Sequence, residues 1–386
     1  MAARCWTLID TSENQAAESL VLEGATLGPA EGARIELQTL RGGLQEGVRM
    51  LTIDNGALRL GLLPDRGMGL WKAWHGATEI GWQSPVRGPV HPRHVPVMEP
   101  NGLGWLYGFD ELLVRCGLLS NGAPDFDPQG TLTYPLHGLI ANRPAHLLQV
   151  AVDDQSGEIS ATGVVEETRF HFHKLRLTST LKTRSNSLVM EIHDQITNFS
   201  GKGGEAQMLY HVNFGPPLNT PGATLIAPVR ELVPRDEHAA SSVAQWNTYG
   251  PTEVAAQERV YFSKLLADEK GSTQVLLRAA HRDQGVSLRF NTRQLPCFTQ
   301  WKNNPPLPDG YVTGLEPGTN FPNPRGFETQ QGRVLKLAAG ETAEFKLAIQ
   351  LHPDAGSVAE AEAKIATLQS AAQPIIHNSP HPDWCA

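Results

Sequence analysis

The chain has 386 residues, of which 40% are hydrophobic and 19% charged, with 37 glycines and 28 prolines. That is a globular composition rich in turns, not a disordered polymer or a fibrous repeat. Forty acidic residues against 32 basic ones leave a formal charge of −8, which argues against a general nucleic-acid binder, since phosphate neutralisation needs a basic face.

The opening MAARCWTLIDTSENQ lacks the apolar core of a secretory signal, and no apolar run reaches the roughly 18 residues of a membrane span. A cytoplasmic protein with no membrane partner is expected. Cys5, Cys116, Cys297 and Cys385 form no CxxC and no metal-like spacing, so reduced thiols are expected.

From residue 48 the dominant period is two, the mark of strands. Val48, Met50 and Thr52 share a face, Asn55-Gly56 makes a tight turn, and Leu58, Leu60 and Leu62 share a face beyond it. Pro64-Asp65-Arg66-Gly67 reads as a strand exit, where the Arg66 guanidinium could fork onto hydroxyls. Trp71, Trp74, Trp82, Trp105 and Trp301 are either core residues or flat surfaces for sugar rings. YGFDELLVRCGL (107–118) predicts a helical turn or two.

Three later segments set polar groups among glycines and prolines. The first, 134–143, carries His137 before Gly138 and ends on Arg143. In the second, 209–215, strand alternation puts His211 and Asn213 on one face and Tyr210 and Val212 on the other. In the third, 314–320, Glu316 sits between apolar residues and a Pro-Gly turn, with Asn320 just beyond. Burial there would raise the Glu316 pKa. Lys302 follows Trp301 and is a further candidate ligand contact. Each feature has a plain structural reading: a turn histidine, a satisfied core pair, a strand-end carboxylate. Two histidines and a carboxylate at separate strand ends are nonetheless what acid–base work on a hydroxylated substrate requires.

Residues 188–193 and 344–351 alternate again, with a turn over AAGETAE between Leu337 and Phe345. Ser357 is the predicted cap of a short helix through Leu368, and the tail after Ala371 is expected to wrap or fray. With no repeat, linker or composition break, one all-β antiparallel sandwich domain over 1–386 is expected, its first 40 and last 15 residues peripheral. No nucleotide loop or GxSxG elbow is present. His91, His94, His171 and His173 lack partners for a convincing metal site, and no cofactor is expected. Asp110, Glu111, Glu316 and Glu328 leave a glycosidase pair open.

The stretches PDRGMGLWKAWHGATEIGWQSP, GWLYGFDELLVRCGL, PLHGLIANRPA, MLYHVNFGPPL and GLEPGTNFPNPRG resemble, in this order, the galactose mutarotase (aldose 1-epimerase) superfamily. The resemblance is strongest to a bacterial branch catalogued as a domain of unknown function. It implies a large β-supersandwich with few helices, acting on a small-molecule carbohydrate without metal or cofactor. It makes Glu316 the base for the anomeric hydroxyl and His211 the acid for the ring oxygen. His137 and Arg66 then bind substrate, and Glu258 is the nearest match to a hydroxyl-holding aspartate. Asn213 stands where an aromatic is common. A sugar-binding module without catalysis, or a lyase or epimerase acting at another carbon, uses the same scaffold.

Overall fold

The structure, a computed structural model, describes residues 3–386. Its strands form a ten-stranded and a fourteen-stranded sheet, with a separate two-stranded ribbon. Among the described residues the strand pairings are antiparallel except where Ile375–Ile376 runs alongside Val229–Pro234. One hydrophobic cluster draws residues from both sheets, including Leu148 and Ile192 from the first and Leu70 and Met208 from the second. The two sheets therefore pack face to face, as alternating strands with one apolar face must.

The predicted hairpin forms between Arg49–Asp54 and Leu58–Leu63, with Ile53 opposite Leu60. Gly56 takes φ +94° at the turn, and the Asn55 side-chain oxygen accepts from the amides of Ala57 and Leu58. Leu51 and Ile53 point inward, whereas Met50 and Thr52 are only half-buried. The turn before Thr342–His352 also forms, but it links the sheets: Leu335–Leu337 pairs in one and Thr342–His352 in the other.

Two expectations are corrected. Of residues 107–118 only Tyr107 and Gly108 are helical, as the end of a short 3-10 turn, Gly104–Gly108, and Leu113–Leu118 is a strand between Gly69–His75 and Gly204–Phe214. A strand buried on both faces reads as a continuous apolar run, so periodicity alone does not separate it from helix. The C-terminal helix is Ala355–Gln369, and its cap is Asp354, which accepts from the Ser357 amide at 2.8 Å. A carboxylate at the cap position satisfies a free helix amide and complements the helix dipole.

Both termini lie at sheet edges yet contribute core. Leu8, Ile35 and Leu37 are buried, and Trp384 stacks on Phe321 with centroids 4.8 Å apart, so the tail wraps. No helix among the described residues is long and apolar enough to cross a membrane.

Candidate active site

The strands Gly204–Phe214 and Val312–Gly318 lie side by side. Their register sets Leu209 opposite Gly318 and Val212 opposite Leu315, which places His211 directly across from Glu316. Tyr210 bonds Asp194 of the ten-stranded sheet, so it points between the sheets. His211, one residue on, therefore faces the outer side of the fourteen-stranded sheet. There its Nε2 lies 3.3 Å from Glu316 Oε1. Gly314 makes this approach possible, because a Cβ at that position would stand 2.5 Å from Glu316 Oε1 and 2.9 Å from the His211 ring.

Asn213 orients the imidazole. Its amide nitrogen donates to the carbonyls of Glu111 (3.0 Å) and His211 (3.2 Å). Its oxygen is left 2.6 Å from His211 Nδ1. An oxygen there can only accept, so Nδ1 carries the hydrogen and Nε2 faces Glu316 with its lone pair or a second proton. No described residue donates a hydrogen bond to Glu316. Burial, with the nearby charge of Glu258, drives its carboxyl well above the ordinary carboxylate range, opposed by Arg235. Burial, and next the neighbouring His137, pushes His211 well below the imidazole range, opposed by the bond to Asn213. Two groups displaced toward their neutral forms and in contact hold one proton between them.

His137 sits in the same cleft, its ring centroid 5.3 Å from that of His211. Its backbone is left-handed, φ +57°, and the following Gly138 has φ +73°. A Cβ on Gly138 would lie 2.0 Å from the Ser120 carbonyl oxygen, so only glycine fits this crossing. The His137 amide donates to Gly122 O and its Nδ1 donates to Asn121 O, at 2.8 and 2.9 Å. That leaves Nε2 as an acceptor. Burial holds this imidazole down to about 4. Trp105, Phe109 and Trp301 complete an aromatic cage, 6.1, 5.2 and 5.5 Å from the His211 ring.

The cleft has a volume of about 520 Å³. Glu258 and Trp301 belong to it, the indole donating to the carboxylate at 2.7 Å. Arg235, which the sequence reading missed, also lines it and pairs with both Glu258 and Asp236, at 2.8 and 3.0 Å. Nothing in its Pro-Arg-Asp context marks it; only the fold brings it to Glu258. The indole N–H of Trp105 and the Thr299 hydroxyl are buried here without partners among the described residues.

Other candidates lie elsewhere. Arg66 is buried and outside the cleft lining, its donors committed to Glu111, Asn142 and the carbonyls of Val90 and Gly108. It is a structural ion pair rather than a substrate clamp. Lys302 points away from Trp301, as alternation demands, and its ammonium donates to the carbonyls of Gln245, Trp246 and Thr248. Arg143 is exposed and outside the cleft lining. Asn320 is wholly buried and bonds reciprocally to Asn121, supporting the segment that holds His137. Asn213 orients His211 from behind and does not line the cleft. Of the possible glycosidase carboxylates only Glu316 lines it; Glu328 is locked by Arg333 and Asn323.

The two packed sheets have the galactose mutarotase-like fold. Residues 45–351 match the family described as a domain of unknown function (DUF4432), and the chain belongs to that family. A crystal structure from Klebsiella pneumoniae, provisionally assigned as an aldose 1-epimerase, is 36% identical, with a TM-score of 0.95 over 98% of this chain and 99% of that one. A galactose mutarotase-like protein from Clostridium acetobutylicum shares the fold at 14% identity, with a TM-score of 0.56 over 82% of this chain and 98% of that one. A further provisionally assigned aldose 1-epimerase, from Escherichia coli, has 14% identity and a TM-score of 0.52 over 79% and 99% of the two chains. No curated protein sequence matches.

Proposed function

We propose that the protein interconverts the anomers of a free sugar, with Glu316 as base and His211 as acid. The contact of His211 Nε2 with Glu316 Oε1 at 3.3 Å carries this reading. One proton shared by the pair gives two forms: carboxylic acid with neutral imidazole, or carboxylate with imidazolium. In the second form Glu316 takes the proton from the anomeric hydroxyl while His211 Nε2–H protonates the ring oxygen. The C1–O5 bond breaks, leaving an open-chain aldehyde, a neutral imidazole and a protonated carboxyl. Rotation about C1–C2 presents the other carbonyl face. The O5 hydroxyl then attacks C1, returning its proton to His211 while Glu316 protonates the carbonyl oxygen. Atoms and charge balance with no covalent intermediate.

The rest of the cleft supports a sugar. His137 Nε2 accepts from a hydroxyl, Trp105 N–H and the Thr299 hydroxyl supply buried polar groups that lack partners, and Trp301 offers a ring face. Among the described residues Arg235 is the only lysine or arginine lining the cleft, and it is already paired with two carboxylates. This favours an uncharged sugar over a phosphorylated one. Saturation transfer between α and β resonances across a panel of free sugars tests the proposal. Wild type should accelerate exchange for at least one sugar and Glu316→Gln should not; a folded Glu316→Gln protein with full activity would overturn it.

A further inference from the structure

A second cavity, about 1130 Å³, lies on the other side of the segment that carries His137. Leu136 and His137 face the catalytic cleft, while Pro135, Gly138 and Leu139 line the second cavity. The two spaces therefore share one wall, and that wall is the left-handed His137–Gly138 step.

The chemistry of the second cavity is unlike that of the first. Ser120 lines it with a buried hydroxyl that has no hydrogen-bond partner among the described residues. Beside it is Arg325, 6% exposed, which donates to Leu119 O and to Glu205. Two of its five N–H groups are so used, leaving the others available to a ligand. Lys174, Lys202 and Lys336 stand around the opening, none with a carboxylate at ion-pair distance among the described residues. They emerge from one node. Asn198 binds the carbonyls of Lys202 and Leu337, and the next residue's amide donates to Lys174 O. The acidic lining residues are engaged: Glu205 with Arg325, Glu167 with the amides of Leu118 and Leu119, and Glu341 with that of Ala338. Leu119, Leu175 and Phe172 provide apolar surface between the charges.

An unpartnered buried hydroxyl, a guanidinium with free donors and three unpaired ammonium groups suit a phosphate monoester. The apolar surface and the volume leave room for a sugar body. We infer that this cavity is a second ligand site, for a sugar monophosphate, and that its occupancy acts on His137. The route is short and contiguous: a Cβ on Gly138 would meet the Ser120 carbonyl at 2.0 Å, and residues 121 and 122 hold the His137 imidazole and amide. A ligand drawing on Ser120 thus shifts the backbone that fixes the His137 ring. Since the catalytic cleft suits an uncharged sugar, a ligand carrying phosphate is a product of phosphoryl transfer to such a sugar. The influence on catalysis rests on the anomer-exchange reading; the binding does not.

Calorimetric titration with glucose 6-phosphate and with inorganic phosphate tests the site, on wild type, Glu316→Gln and the double variant Lys202→Glu/Lys336→Glu. Both lysines are exposed, so the double variant keeps its fold. Glucose 6-phosphate should bind wild type and Glu316→Gln alike, and the double variant about tenfold more weakly or worse, from the loss and reversal of two charges. The His137 imidazole resonance should move on saturation of wild type and stay still in the double variant. Equal affinity in wild type and the double variant would overturn the proposal. So would loss of binding in Glu316→Gln, which would place the ester in the catalytic cleft. Inorganic phosphate binding as tightly as the ester would mean an adventitious ion only. Anomer exchange without the ester should be unchanged in the double variant, so failure here leaves the epimerase proposal standing.

Discussion

Two buried polar clusters sit back to back on opposite faces of the strand Gly204–Phe214, each shared with a different neighbouring strand, and only one of them is complete. Arg115 and Tyr210 are opposite each other in the register and point between the sheets. All five Arg115 N–H groups find acceptors, in Asp194, Ser179 and the carbonyls of Gly67 and Met68, and the Tyr210 hydroxyl donates to Asp194. One residue along, His211 faces the outer side, where Glu316 of the adjoining strand receives no hydrogen bond from any described residue and has His211 Nε2 at 3.3 Å. A complete set of partners makes a buried charge part of the scaffold, while an incomplete set leaves valences for a substrate.

Removing the incomplete cluster should affect rate and not folding. Glu316→Gln is expected to slow anomer exchange about 10⁴-fold with thermal stability equal to or above wild type, measured by NMR exchange and calorimetry. Breaking the complete cluster should do the reverse. Asp194→Ala strands the Arg115 guanidinium and should cost about 3–5 kcal/mol of unfolding free energy in denaturant titration. An Asp194→Ala protein as stable as wild type would end the contrast.

The titration of His137 sharpens it. Burial holds this imidazole at about 4 against its ordinary 6.5, so between those values the unfolded chain binds a proton that the folded one does not. Stability from this group therefore rises with pH across that window and is complete above it, by about 3 kcal/mol. His137→Asn should flatten that part of the pH–stability curve; identical curves would show the ring is not held neutral. Asn213→Ala removes tautomer control and should lower kcat about ten- to a hundredfold with little change in KM. Arg143→Ala, exposed and outside the cleft, should change stability by less than about 0.5 kcal/mol and leave the rate unaltered.

How far the site was readable from the chain follows from the range of each interaction. Glu316, His211 and His137 stood out because each is a polar residue in an apolar or glycine-marked segment. The facing of His211 with Asn213 came from strand alternation, which is local. Arg66 and Lys302 looked equally suited to a ligand, and both proved to be bonded to distant carbonyls and carboxylates. Arg235 was invisible because its role exists only through Glu258 and Trp301.

The sequence by itself determined the β architecture, the Asn55-Gly56 hairpin and the three polar segments, since period, turn chemistry and glycine placement act over a few residues. Tertiary structure alone decided which charged groups were already satisfied. Burial and hydrogen-bond completion depend on residues far apart in the chain, as Arg115 with Asp194 and Arg66 with Glu111 show. The two cavities sharing the His137–Gly138 wall belong to the same category, because a wall has two sides only once the chain has folded around it.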